Sequence, residues 1–195
     1  MGSASSRDQA LATRMDSYLV KVASILGDLG ATIEVSDELT LETLEVGSEV
    51  FSLRAPGRFD LWLTNTGTSV VSGGRVVAEV SGICSRCLCE FPFLIEGEID
   101  GFYVEHGKEE GIPEDQEYEF IDHESVVDIL PSVMVALVLE APFAPLHDEE
   151  CAGLCASCGA DLNAGPCECQ DAVEDTNPFS ALGALLTDGM GDEDV

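Results

Sequence analysis

Residues 151–169 read CAGLCASCGADLNAGPCEC, five cysteines in nineteen residues with no lysine or arginine among them. A segment this rich in thiols must bridge them or give them to a metal, and the compartment decides which. The N-terminal stretch MGSASSRDQALATRMDSYL lacks a basic start followed by an unbroken apolar run, so no secretory signal is expected. The longest apolar run, ILPSVMVALVL, contains a proline and a serine and is too short to span a bilayer. The expectation is a soluble, cytoplasmic protein without membrane contacts, whose eight cysteines are metal ligands or redox groups and not disulfides.

Spacing sorts those cysteines. Cys84 and Cys87 form one C-x-x-C, and Cys155 and Cys158 form another, followed directly by Gly159. Two thiolates three positions apart can turn onto one ion about 2.3 Å from each sulfur. A glycine after the second ligand permits the positive φ that such a knuckle needs. Cys167 and Cys169 can close the second knuckle into a four-thiolate site. The first pair then lacks two ligands, and the best candidates are His147 and Cys151 in PLHDEEC. This gives two tetrahedral sites, Cys84/Cys87/His147/Cys151 and Cys155/Cys158/Cys167/Cys169, with Cys89 spare. The rival arrangement is one zinc ion held by four of the five C-terminal cysteines, leaving Cys84 and Cys87 a free dithiol. Four cysteines also suit an iron–sulfur cluster. His106 and His123 lie in an acidic stretch and read as surface residues.

Closed four-ligand sites are structural, since catalytic zinc keeps a position open for water. No H-E-x-x-H, phosphate-binding glycine loop or nucleophile with an orienting His–acid couple is present. The chain is therefore expected not to be an enzyme. The alternative is a thiol redox or zinc-transfer protein using Cys84 and Cys87 together with Cys89, with Arg86 favouring the thiolate.

The remaining pattern predicts an α+β fold: an antiparallel strand-rich core, a buried helix and a C-terminal cysteine-rich zinc-binding segment. Leu11, Met15, Tyr18, Val22, Ile25 and Leu29 recur at spacings of four and three, which predicts an amphipathic helix over residues 1–30 ending by Gly30. Residues 31–145 read as the core. RFDLWLTNTG is a strand leading to a turn, SVVSGGRVVAEV a hairpin reversing at Gly73 and Gly74, and EFPFLIEGEIDGFYVE a further strand. In ESVVDILPSVMVALVLEAP, Val126, Leu130, Val133, Met134 and Leu137 share one helical face and Val127, Val135 and Val138 make the other apolar. A helix apolar all round belongs in the core, kinked or divided at Pro131. Residues 146–170 form the cysteine-rich segment, and 171–195 a short helix and an acidic tail.

Thirty-eight acids face eight bases, a formal net charge of −30, and no lysine or arginine follows Lys108. Nucleic-acid binding depends on Lys and Arg neutralising phosphates, so direct binding by this chain alone is not expected. Basic proteins would be attracted instead.

CSRCL after a strand-rich segment, then LVLEAPFAPLHDEECAGLCASCGADLNAGPCEC, then NPFSALGALL, in that order from about Gly47 to Leu186, resembles the YceD family of large ribosomal RNA subunit accumulation proteins. The resemblance implies a compact α+β protein without known enzymatic activity and a role in accumulating large-subunit ribosomal RNA. It places the family's paired cysteines on Cys84 and Cys87 and its later histidine-or-cysteine and cysteine on His147 and Cys151, which favours two sites. Taken together, the expectation is a zinc-binding accessory of ribosome assembly acting through a basic ribosomal protein or an assembly factor.

Overall fold

The computed structural model describes residues 10–14, 17–113 and 115–169. Its strands are β1 (Ala10–Arg14), β2 (Ser17–Lys21), β3 (Thr32–Leu39), β4 (Thr43–Val46), β5 (Glu49–Leu53), β6 (Gly57–Asn65), β7 (Val70–Ile83), β8 (Glu90–Glu105), β9 (Glu119–Ile121) and β10 (Val126–Asp128). The helix α1 spans Leu130–Glu140. The strands β1, β2 and β10 form a small antiparallel sheet. The larger sheet centres on β7, which pairs along its length with β8 on one edge and with β6 and then β5 on the other. β3 extends it beyond β6 and β4 beyond β5, while β9 joins β8 in parallel.

Period-two alternation explains the long strands. Phe59, Leu61 and Leu63 of β6 are buried while Arg58, Asp60 and Trp62 face out. Along β8, Ile95, Ile99 and Tyr103 point inward and Glu96, Glu98 and Asp100 outward. The core assembles between this inner face, the small sheet and α1, with Tyr18 edge-on to Phe59 at 5.0 Å. The Tyr18 hydroxyl donates to Asp37 Oδ2 at 2.6 Å, and burial together with that carboxylate pushes its ionisation well up.

Three sequence expectations are corrected. The predicted N-terminal helix is absent over its described part, where Ser17–Lys21 is a strand. Tyr18, Val20 and Val22 are buried in alternation, and Leu29, assigned to the helical face, is 74% exposed. Tyr18 and Val22 fit both periods, and pairing with β1 and β10 goes with the extended one, which buries Val20 beside them where a helix would turn it away. Residues 23–30 form turns instead, with the buried Asn65 amide donating to the carbonyls of Ile25, Leu26 and Asp28.

The predicted reversal at Gly73 and Gly74 does not occur, because β7 runs straight through them. These glycines provide space, not a turn. The indole of Trp62 lies over Gly73, and a Cβ at Gly74 would collide with the Asp60 carbonyl oxygen.

Nor is α1 buried all round or divided by Pro131. The proline sits in the first turn, where its missing N–H costs nothing, and Asp128 accepts the Leu130 N–H just before it. Leu130, Val133, Ala136 and Leu137 face inward, while Val135 and Leu139 are exposed. Gly97 of β8 lets the helix approach, since a Cβ there would strike the Ala136 carbonyl oxygen. The expected short helix and acidic tail of 171–195 lie outside the described residues.

A candidate metal centre at the tip of a long hairpin

The β7–β8 ladder runs in register from Val70 opposite Tyr103 to Ile83 opposite Glu90. Its connection is CSRCLC, residues 84–89, so the first C-x-x-C is the tip of the longest hairpin. The Cys84 N–H donates to the Cys89 carbonyl at 2.8 Å and the Leu88 N–H to the Cys84 carbonyl at 2.9 Å. The same pair of bonds recurs at the second C-x-x-C, where the Cys155 N–H meets the Ala160 carbonyl and the Gly159 N–H the Cys155 carbonyl, both at 2.8 Å. The two knuckles are thus built alike. Each requires a left-handed residue after its second cysteine: Gly159 at φ 72°, as the sequence anticipates, and Leu88 at φ 60°.

The loop after α1 brings the remaining ligands of the first cluster. Pro145 accepts the Ser85 N–H at 2.9 Å, and the Arg86 guanidinium donates to the carbonyls of Glu149 and Cys151 at 2.9 and 3.0 Å. Arg86 therefore ties the hairpin tip to the incoming loop. Its backbone N–H, not its charge, acts on the Cys84 thiol.

Two groups result, and they are the two quartets expected from spacing. The ligand atoms of Cys84, Cys87, His147 and Cys151 lie within 4.8 Å of one another, as do those of Cys155, Cys158, Cys167 and Cys169. Cys84 and Cys151 Sγ are 3.8 Å apart, and His147 Nδ1 is 3.4 Å from both Cys84 and Cys87 Sγ. Four ligands on a tetrahedral zinc ion would place sulfurs about 3.8 Å apart and sulfur and nitrogen about 3.5 Å apart, from bonds of about 2.3 and 2.0–2.1 Å. All eight cysteines are free thiols, and the donor sets S₃N and S₄ suit zinc. His106 and His123 join neither group; His106 stacks on Phe120 at 4.1 Å.

The sites differ in burial. Cys84, Cys87 and Cys151 are buried and packed by Phe91, Leu146 and Leu154, with Phe91 stacked on Phe93 and edge-on to His147. Cys158 is exposed, and Cys155 and Cys167 are half-buried. Cys89 is also exposed, its Sγ 3.2 Å from that of Cys87.

Each cluster poises one thiol as a thiolate. Burial opposes ionisation of Cys84, but hydrogen bonds from His147 and from the N–H groups of Cys87, His147 and Arg86 bring it down to about 5. The N–H groups of Cys158 and Ser157, with the thiols of Cys167 and Cys158, bring Cys155 to about 6. The other shifted thiols go the opposite way. Burial raises Cys151. The Cys89 N–H pulls Cys87 down, but burial and the neighbouring thiols of Cys89 and Cys84 raise it further. A hydrogen bond with Cys155 raises Cys167, and one with Cys158 followed by burial pushes Cys169 up to about 12. Spacing alone did not reveal Leu88, the Arg86 clamp or Asn163, whose amide donates to Cys151 Sγ at 3.5 Å. The only prior signal for Asn163 was its place inside the second cysteine loop.

A family model described as "Large ribosomal RNA subunit accumulation protein YceD" matches residues 73–186, more than half of the chain and all eight cysteines. An uncharacterised protein of Mycobacterium bovis is 28% identical over 141 residues, 70% of this chain and 67% of its own length. A protein of Mycobacterium tuberculosis, likewise uncharacterised, gives the same figures. One from Mycobacterium leprae is 25% identical over 120 residues, 62% of this chain and 55% of its own. No solved structure matches the chain.

Leu88→Gly is expected to stabilise the protein by about 1 kcal/mol, because the left-handed conformation penalises a Cβ and the leucine is 63% exposed. Gly159→Ala should cost about as much, and denaturant unfolding of both variants checks the opposite signs. Metal binding should also release protons. At pH 7.5 Cys84 and Cys155 are already ionised, whereas Cys87 and Cys151 at one site and Cys167 and Cys169 at the other are not. Zinc entry should therefore expel at least two protons per ion, with affinity falling as pH falls. Calorimetry in buffers of different ionisation enthalpy measures this directly.

Proposed function

The chain belongs to the YceD family of large ribosomal RNA subunit accumulation proteins, and on that premise we propose that it is a non-enzymatic, zinc-stapled accessory of large-subunit assembly that acts by holding basic protein partners. The family match carries the process. Charge supports the mode of action. The outer face of the large sheet presents Glu34, Asp60, Glu96, Glu98 and Asp100 around the 43% exposed Trp62. Asp60 and Glu98 flank Arg75 from the two neighbouring strands. Among the described residues only three ion pairs form, all exposed, so most acids are left to attract a partner. Such a face repels phosphate and raises encounter rates with cationic proteins, and an exposed indole offers a cation–π contact to Arg or Lys.

In this reading the ions supply only cross-links. Cys84, Cys87, His147 and Cys151 would hold one ion and Cys155, Cys158, Cys167 and Cys169 another, fixing loops that have little apolar core of their own. No helix among the described residues is long and apolar enough to cross a membrane.

The second reading, a redox-responsive zinc protein, is favoured by the 3.2 Å approach of the exposed Cys89 to Cys87. A hydroperoxide would take two electrons and two protons from the two thiols, forming their disulfide as its O–O bond breaks to give an alcohol and a water, or two waters from hydrogen peroxide. Cys87 would then no longer be available to the ion.

Affinity capture from lysate, with and without nuclease, separates the readings from a nucleic-acid role. Basic proteins should persist after nuclease, and neutralising Asp60, Glu96, Glu98 and Asp100 should weaken their capture about tenfold at low salt. Recovery of RNA by the purified chain, with no basic protein, would overturn the proposal. Elemental analysis before and after mild peroxide decides the second reading, which requires zinc loss in the parent and retention in Cys89→Ser.

A further inference from the structure

Building on the two-ion reading, we infer that the clusters load as one cooperative unit, in which Asn163 of the second loop is a positioning residue for Cys151 of the first site. Cys151 stands at the boundary, four positions before Cys155. Asn163 lies between Cys158 and Cys167, in the loop that the second quartet closes. Its Nδ2 donates to Cys151 Sγ at 3.5 Å and to Asp161 Oδ1 at 2.7 Å, and its Oδ1 accepts the Ala152 N–H at 2.8 Å. The Leu162 N–H adds a bond to the Gly153 carbonyl at 2.9 Å, and Leu154 bridges to Asp161. A single turn of the second loop thus grips residues 151–154 from the side.

This grip points toward the first site. Gly153, buried and at φ 73°, sits where a Cβ would lie 3.2 Å from the Arg86 carbonyl oxygen, so the hairpin tip rests on the gripped strand. Cys151 is buried, and the Asn163 amide is the side-chain N–H donor that reaches its sulfur. A donor to a ligating sulfur fixes its orientation and spreads its charge, and removing such an outer group weakens metal sites by roughly 10–100-fold.

Burial supplies the order of events. The second site is the more open one, so its ion should leave first. Losing it unties the loop between Cys158 and Cys167, withdraws Asn163 from Cys151, and loosens the ion of the buried site without touching its ligands. By linkage the effect is reciprocal: an occupied first site holds residues 151–154 in the shape against which the second loop closes.

The test uses the full-length, reduced, zinc-loaded protein and a colorimetric chelator. The wild type should lose two ions in two phases, fast from the second site and slow from the first. Asn163→Ala keeps all eight ligands, yet should speed the slow phase about tenfold. Asn163→Asp, which keeps the acceptor for Ala152 but replaces the donor with a carboxylate, should do the same or more. Cys158→Ser/Cys169→Ser should also speed it about tenfold, and adding Asn163→Ala to that pair should change nothing further, the non-additivity expected of residues acting through one contact. With cobalt in place of zinc, Asn163→Ala should shift the sulfur-to-metal absorption of the first site, a signal that a loop effect remote from Cys151 would not move. Two ions in the wild type with a slow phase indifferent to Asn163 and to the second quartet would overturn the coupling alone. A wild type binding fewer than two ions would overturn the metal reading and the coupling with it.

Discussion

The long antiparallel ladder between β7 and β8 is the constraint on which the rest depends. Fourteen residues pair without interruption, so the hairpin tip has little freedom, and Cys84 and Cys87 are delivered to a fixed place at the end of the sheet. The same strands carry the glycines that admit Trp62 on one face and α1 on the other. α1 in turn launches the loop that returns His147 and Cys151 to the tip. The first cluster is therefore a product of the fold's most extensive hydrogen-bonded unit. The second is an outgrowth with few apolar contacts, tied to the first by the hydrogen bonds of Asn163 and Leu162.

Local chemistry was legible in the sequence where the signal was covalent or stereochemical. Short cysteine intervals marked the second quartet and the Cys84/Cys87 pair, the family resemblance favoured His147 and Cys151 as that pair's companions, and Gly159 marked its left-handed turn. The strands 57–65 and 90–105 were visible for a similar reason, since alternation with outward acids and inward Ile, Leu and Phe fits only one period. Reading failed where two periods coincide or where the decisive neighbour is distant in sequence. Tyr18 and Val22 fit a helix and a strand equally, and the strand is chosen by β10, more than a hundred residues away. Gly73 and Gly74 resemble a turn unless one knows that β6 crosses against them. Leu88 carries no mark of its positive φ, which only comparison with the second knuckle makes intelligible.

Charge and sulfur divide the labour in this chain. A body with a net charge of −30 resists close packing of its own loops through self-repulsion. Cross-linking through a divalent ion would suit such a body, because it closes loops through coordination bonds and needs no apolar surface. The acidic character can then be kept for the outside, where it suits the contact with cationic proteins proposed above.

Trp62 is the sole indole in the chain, and it lies half-open over Gly73 in the middle of the acidic sheet face. Its emission is therefore an intrinsic reporter of that one surface, free of background from any other tryptophan. A guest settling on the carboxylates would dry the ring and shift its colour toward the blue, while events confined to the thiol clusters would leave its spectrum alone. The protein thus carries a built-in lamp on the acidic sheet face, and none at the end that bears the thiol clusters.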